Sequence, residues 1–368
     1  MTGGGARAAY QIGLLRCLAR RMPDVEIPIV TGVSAGAINA VYLASHRGSF
    51  VEAVEGLYEL WRNLRPEDIY RVGSATLAGN VGRWLLRLFS GGARHAPEAR
   101  SLLDSSPLDA FLRRALTVVD GEVQGIDQNL DAGRLRAVAL STLNYATGQT
   151  VTWVQGREVA GWERPRRRGS LTRLTVDHVM ASAALPFVFP AIKIAESWYG
   201  DGGIRLATPL APAVHLGADR ILAISTRYRR SLEEAVIPAV TGYPPPAQVA
   251  GVMLNSLFLD AIDLDARHLE RINRLLADGE RTSSEGLRPI DIVVLRPSTD
   301  LGRLAGEYEA TLPRAFRFLT RGLGTKQTKS PDFLSLLMFQ PDYLRRLIAV
   351  GEADAEARLP EIKALFGA

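Results

Sequence analysis

Apolar positions recur along this chain with two periods. From Arg7 to Arg21 they fall at Ala8, Ile12, Leu15, Leu18 and Ala19, the spacing of one helix face, directly after Gly3-Gly4-Gly5. Ile27-Pro28-Ile29-Val30 is a short apolar run that reads as a buried strand, and Ser34 to His46 returns to a small-residue, helix-compatible pattern. Further helices are expected at Phe50 to Asn63, Leu108 to Thr117, Thr175 to Ala184, Pro209 to Leu216, Gln248 to Asp278 and Asp332 to Ala357. Further strands are expected at Leu135 to Leu140, Thr150 to Val154, Ile192 to Ala195, Ile221 to Ser225 and Ile290 to Leu295. Strands alternate with helices, which predicts a three-layer α/β/α sandwich with a mostly parallel central sheet covered on both faces. Arg164 to Gly169 reads as an exposed charged loop, and Arg229 to Gln248 and Asp278 to Pro289 as mobile connections. The expected organisation is a main unit over residues 1–300 with a helical extension, 301–368, packed on it.

Composition narrows this picture. A chain of 368 residues that is 47% hydrophobic can bury a large core, so a globular enzyme is the default. With 44 Lys+Arg against 39 Asp+Glu, the net charge of +5 favours anionic surfaces such as lipid headgroups and does not call for nucleic acid. The single cysteine, Cys17, excludes an intramolecular disulfide, so the fold needs no oxidising compartment. No basic-then-apolar leader opens the chain, and the uncharged run Ile29 to Ser45 is too short and too polar to span a bilayer. A cytoplasmic protein, at most peripheral to a membrane, is expected.

Candidate chemistry centres on Gly32-Val33-Ser34-Ala35-Gly36, a G-x-S-x-G between a predicted strand and a predicted helix, where a nucleophile elbow belongs. The same residues could serve as a plain helix cap. Gly3-Gly4-Gly5-Ala6-Arg7 offers consecutive backbone N–H groups at a helix start, suited to an anion or a developing oxyanion. It also fits a dinucleotide fingerprint with Asp24 as the ribose acid, and thus a non-catalytic nucleotide-binding module. A nucleophilic serine needs a base. The histidines are His46, His95, His178, His215 and His268, and a Ser-Asp-His order ending at His215 or His268 would match ordinary α/β-hydrolases. Asp201-Gly202-Gly203, an acid followed by two glycines, offers a direct base, which requires partial burial to act near neutral pH. Val81 to Phe89 sets Trp84, Leu85, Leu88 and Phe89 beside Arg83 and Arg87, an amphipathic pattern that suits either a bilayer interface or a core helix. Trp198 and Tyr199 are candidates to line an acyl pocket. No His/Cys/Asp spacing suggests a metal.

In order and spacing, Gly3-Gly4-Gly5-Ala6-Arg7, Gly32-Val33-Ser34-Ala35-Gly36, Ala181-Ser182-Ala183-Ala184-Leu185-Pro186 and Asp201-Gly202-Gly203 together resemble the bacterial branch of the patatin-like phospholipase family, over about residues 1–225. The resemblance implies a lipid acyl hydrolase with a Ser34–Asp201 dyad and no histidine, cofactor or metal. Ser34 would attack the ester carbonyl, Asp201 would take its proton, and the amides of Gly3 to Arg7 would hold the oxyanion. Gly32, Gly36, Gly202, Gly203, Ser182 and Pro186 would support them. Two departures stand out. The strand that precedes the glycine loop in the family is represented only by Met1 and Thr2, which suggests a clipped start, and Ala8 stands where many members have glycine.

Overall fold

The computed structural model describes residues 1–71, 101–258, 261–278 and 287–367, with the isolated positions 79, 82, 83 and 89. A single 3-10 turn, Gly5–Ala8, leads from the glycine loop into helix α1 (Ala9–Arg21), which buries Tyr10, Ile12, Leu14 and Leu18. α1 crosses the helix Pro341–Ala357 at unusually close range, because Gly13 and Gly351 sit at the crossing: a Cβ on Gly13 would lie 2.7 Å from the Glu352 nitrogen. The Tyr10 hydroxyl donates to Asp354 (2.9 Å) across the same interface. Helices α2 (Ala35–Ser45) and α3 (Phe50–Asn63) complete this side, and α3 starts on a capping box formed by Ser49 and Glu52.

The strands are β1 (Ile29–Val33), β2 (Val118–Val119), β3 (Glu122–Val123), β4 (Ala137–Asn144), β5 (Thr150–Gly156), β6 (Trp162–Arg164), β7 (Arg167–Leu171), β8 (Ile192–Ile194), β9 (Ser197–Asp201), β10 (Arg220–Ile224) and β11 (Asp291–Leu295). Seven of them form the main sheet, in the order β6-β7-β5-β4-β9-β8 with β1 also on β4. The α/β architecture and the C-terminal helices are as expected, but the parallel character is confined to β1 with β4, β5 with β7, and the separate β10–β11 ladder. Short connections explain part of the rest: β4–β5, β6–β7 and β8–β9 are hairpins, which must be antiparallel, while β9 joins β4 antiparallel from far along the chain. The arginine-rich segment expected as a loop is the β6–β7 hairpin, with Arg164 paired to Arg167.

β4 is the organising strand. β5 covers one edge, while β1 and β9 share the other end to end. β1 runs parallel and stops with Val33 opposite Ser141; β9 runs antiparallel and starts its pairing with Asp201 opposite Thr142. The tips of two strands distant in sequence therefore meet at neighbouring residues of β4.

Met1 and Thr2 take up the place of a strand between β1 and β10. The Met1 amine donates to the Thr31 carbonyl (2.8 Å), Val33 N–H donates to the Met1 carbonyl (3.3 Å), and Thr2 N–H donates to the Ile224 carbonyl (3.1 Å). The expected helix from Asp332 to Ala357 is broken into Asp332–Leu337 and Pro341–Ala357, because Pro341 can start a helix but not continue one. Arg229 to Gln248, expected as a mobile connection, is mostly exposed and touches the segment 323–329 at two points: Lys329 N–H donates to the Ala239 carbonyl (3.0 Å), and Ala247 N–H to the Leu323 carbonyl (2.8 Å). Most of Asp278 to Pro289 and of Val81 to Phe89 lies outside the described residues.

Candidate active site

At the end of β1 the chain turns into α2 through Ser34, whose φ of +57° and ψ of −133° are rare for a residue with a side chain. Two glycines make the turn possible. A Cβ on Gly32 would run into the Gly36 backbone, and one on Gly36 would lie 2.7 Å from the Met1 carbonyl oxygen. The strain is held by a clamp: Ser34 N–H donates to Ser182 Oγ (3.0 Å), and the Ser182 hydroxyl donates to the Ser141 carbonyl (2.7 Å). Ser34 thus sits at the positive end of α2, a favourable place for negative charge to develop.

Asp201, at the tip of β9, is fully buried. Its backbone N–H donates to the Ala184 carbonyl (3.0 Å), so the block Ala181 to Pro186 fixes both residues: Ser182 holds Ser34, and Ala184 holds Asp201. Oδ1 accepts from Gly203 N–H (2.8 Å), whereas Oδ2 is sealed from solvent with no partner at good hydrogen-bond geometry. Burial pushes the Asp201 carboxyl up to about 7, while the approaching Ser34 hydroxyl and the Gly203 amide pull it the other way. Gly202 passes so close to β4 that a Cβ there would strike the Ser141 carbonyl and stand 2.8 Å from the Thr142 nitrogen. Pro186, the last residue of the block, is half-buried.

The glycine loop lies against the serine. A Cβ on Gly3 would be 2.8 Å from Ser34 Cβ, and the Thr226 hydroxyl anchors the loop by donating to the Gly3 carbonyl (2.7 Å). Gly4 and Gly5 have φ of +143° and +54°, and among the described residues no acceptor meets their amides. Ala6 is buried just behind them. Arg7 differs from expectation. Its amide donates to the Gly4 carbonyl (3.0 Å), and its buried guanidinium bonds Ser335 (2.6 Å), Asn255 (3.2 Å) and Asp332 (2.5 Å). Both donor groups are committed to holding the loop, so that, of the Gly4, Gly5 and Arg7 amides, those of Gly4 and Gly5 are the ones without an acceptor among the described residues.

From Ser34 a narrow cavity of about 50 Å³ runs inward, walled by Ile38, Leu57, Trp61, Phe111 and Phe339. Among the described residues no histidine lines it. His215 stacks on Trp162 with ring centroids 4.7 Å apart, His178 is buried against Trp153, and His268 is exposed on the helix Ala261–Asp278. His95 lies outside the described residues. Trp198 is half-exposed, and Tyr199 packs on Trp153 away from the cavity. Among the described residues no group of three or more His, Cys, Asp or Glu is placed to hold a metal ion. Sequence reasoning missed Ser141 and Thr142 of β4 and the Ala184 carbonyl, whose backbone atoms carry no motif; the Ser-Thr pair that interrupts the apolar residues of β4 was the one signal available.

Fold and site together define an α/β protein with a serine elbow and a buried aspartate set tip to tip. The chain belongs to the patatin-like phospholipase family, whose model matches residues 1–214, and that family is one of lipid acyl hydrolases. Among solved structures it is similar to VipD from Legionella pneumophila at 14% identity, with a TM-score of 0.33, covering 91% of this chain and 65% of that one. The chain thus spans about two thirds of the length of that structure. A search of curated proteins gives no match.

Proposed function

We propose that this chain hydrolyses acyl esters of lipids, in the manner of a phospholipase A or lysophospholipase, through a Ser34–Asp201 dyad and a covalent acyl-enzyme. The observation that carries this reading is the buried carboxylate of Asp201, left with a free oxygen beside a strained serine and opposite unpaired glycine amides. Ser34 Oγ attacks the ester carbonyl carbon as its proton passes to the Asp201 carboxylate, and the Gly4 and Gly5 amides receive the oxyanion. Collapse of the tetrahedral intermediate breaks the ester C–O bond, and Asp201 returns the proton to the departing alcohol. Water then attacks the acyl carbonyl, giving its proton to Asp201, and the fatty acid leaves as Ser34 recovers its hydrogen. A carboxyl held near 7 can both take and return that proton near neutral pH.

The test is labelling by a fluorophosphonate probe together with acyl release from a panel of phospholipids, lysophospholipids and glycerides. Wild type should label and release fatty acid, and Ser34→Ala should do neither. Labelling that survives Ser34→Ala would sink the nucleophile. The cavity beyond Ser34 makes a second expectation. Ile38 stands one helical turn from Ser34 and lines the cavity, so Ile38→Trp should fill it. Hydrolysis of long-chain esters should fall roughly tenfold or more, as expected for loss of productive acyl positioning, while an acetyl ester is turned over as before. Equal losses on both esters would show that the cavity does not take the acyl chain.

A further inference from the structure

The outer side of the helix Pro246–Phe258 is inverted in polarity. Its inner face presents Ala247 and Gly251, and Gly251 packs against the Asp332 side chain, while Val249, Val252 and Met253 point outward, each about half-exposed. These positions follow the i, i+3, i+4 spacing of one helix stripe. From Val236 to Leu259 the sequence has no Lys, Arg, Asp or Glu, and Val236 and Tyr243 are also largely exposed. The helix packs on the turn Gly202–Arg205, which follows Asp201, and its Asn255 bonds Arg7 behind the glycine loop, so the helix that carries the apolar stripe neighbours both halves of the candidate site.

A cationic segment adjoins this stripe. Residues 310–331 carry Arg314, Arg317, Arg321, Lys326 and Lys329 and no acidic residue. Arg314, Arg321, Lys326 and Lys329 are exposed, with Phe318 among them. The two segments are joined by Ala247 N–H to Leu323 O (2.8 Å) and by the Thr328 hydroxyl to Gln248 Oε1 (2.6 Å). The inner side of the same basic helix, Arg314–Gly322, places Phe316 on Tyr70 (5.3 Å), and Tyr70 in turn meets Phe189, which lines the cavity from Ser34. Exposed apolar side chains flanked by exposed cations, of which Arg321 also reaches Glu309 (3.7 Å), match a bilayer interface, where the apolar groups enter the acyl boundary and the cations meet phosphates.

We propose that this face, formed by the outer side of Pro246–Phe258 and the basic segment 310–331, docks on bilayers that contain anionic phospholipid and so brings the candidate site to its substrate. The proposal rests on the lipid hydrolase reading for its purpose but not for its test. The full chain carrying Ser34→Ala, which leaves the vesicles intact, is floated with vesicles of phosphatidylcholine alone and of phosphatidylcholine mixed with phosphatidylglycerol. Binding is expected on the mixed vesicles and should be released by high salt, which screens surface charge. The quadruple variant Arg314→Glu, Arg321→Glu, Lys326→Glu, Lys329→Glu should lower partitioning by on the order of a hundredfold or more, since each basic group near an anionic surface contributes about fivefold. Val252→Asp with Met253→Asp should also weaken it.

In the Ser34 background the same variants should keep fluorophosphonate labelling and hydrolysis of a soluble short-chain ester, while losing activity on anionic vesicles. If the quadruple variant fails to label, Lys326→Glu with Lys329→Glu carries the test. Equal binding to both vesicle types, binding that survives charge reversal, or capture by DNA or an acidic polypeptide with no vesicle binding would each overturn the proposal. So would retention at high salt, which would instead fit purely apolar insertion of the uncharged helix Pro246–Phe258. Activity surviving Ser34→Ala would remove the catalytic reading and leave the docking result standing.

Discussion

Asp201→Asn is expected to lower ester hydrolysis by roughly a hundredfold to ten-thousandfold, the range for loss of a general base, while making the protein harder to unfold above pH 7. The two effects share one cause. In the folded chain the Asp201 carboxyl is raised to about 7 by burial, whereas in the unfolded chain it returns to its ordinary value near 3.8. Between those values the folded state holds a proton that the unfolded state has lost, so stability is full below about pH 4 and declines as pH climbs through 7. Catalysis runs the opposite way, because only the ionised carboxylate can accept the serine proton; wild-type activity should rise with a midpoint about 7. Asparagine removes the charge and keeps the shape. It still offers an oxygen to Gly203, and it turns an amide toward Ser34. Denaturant unfolding at pH 8 should show a gain on the order of 2–4 kcal/mol for the variant, shrinking toward zero at pH 4. A variant that loses activity and stability together at pH 8 would mean that Asp201 is held by partners the geometry does not show.

Gly202→Ala should be far more damaging than an ordinary glycine substitution. The added methyl would press on the Ser141 carbonyl and the Thr142 nitrogen, both backbone atoms of β4, and neither can swing aside as a side chain could. Relief requires β9 to move off β4, with a cost on the order of 3–5 kcal/mol, the upper end for single substitutions. Soluble yield, melting temperature and probe labelling should fall together. Gly322→Ala is the matched control: a Cβ there meets nothing within 4 Å, and the change should be neutral within about 0.5 kcal/mol. A Gly202→Ala protein that melts like wild type would show that β9 is not held against β4 as described.

The parts legible in the sequence were those set by local pattern. The strand, turn and helix around Ser34 could be read because small residues surround a single sharp bend, though the strand runs Ile29–Val33 and so ends closer to the serine than its apolar run suggested. α3 falls at Phe50–Asn63 as its periodicity requires, since Ser49 and Glu52 mark its start. What escaped was decided by distant partners. β9 contains a charged tip and two aromatic residues, and nothing local shows that it pairs with β4. Arg167–Leu171 lacks alternation, yet it pairs with β5, which no property of its own residues announces. Arg7 looked like part of the anion-facing loop because its neighbours are, and its partners Asn255, Asp332 and Ser335 lie more than two hundred residues further along.

The end-to-end arrangement of β1 and β9 on one edge of β4 also makes catalytic competence a test of assembly. No local hairpin can bring Ser34 and Asp201 together; the whole span from β1 to β9 must have closed, a late event in a chain whose contacts are this remote in sequence. A slip of β9 by a single residue would put Gly200 or Gly202 opposite Thr142, on the reversed face, and leave the serine with no acid. With the proposed dyad, a misregistered molecule should be silent, and the fraction of a refolded sample that turns over ester should count the molecules whose sheet has zipped correctly.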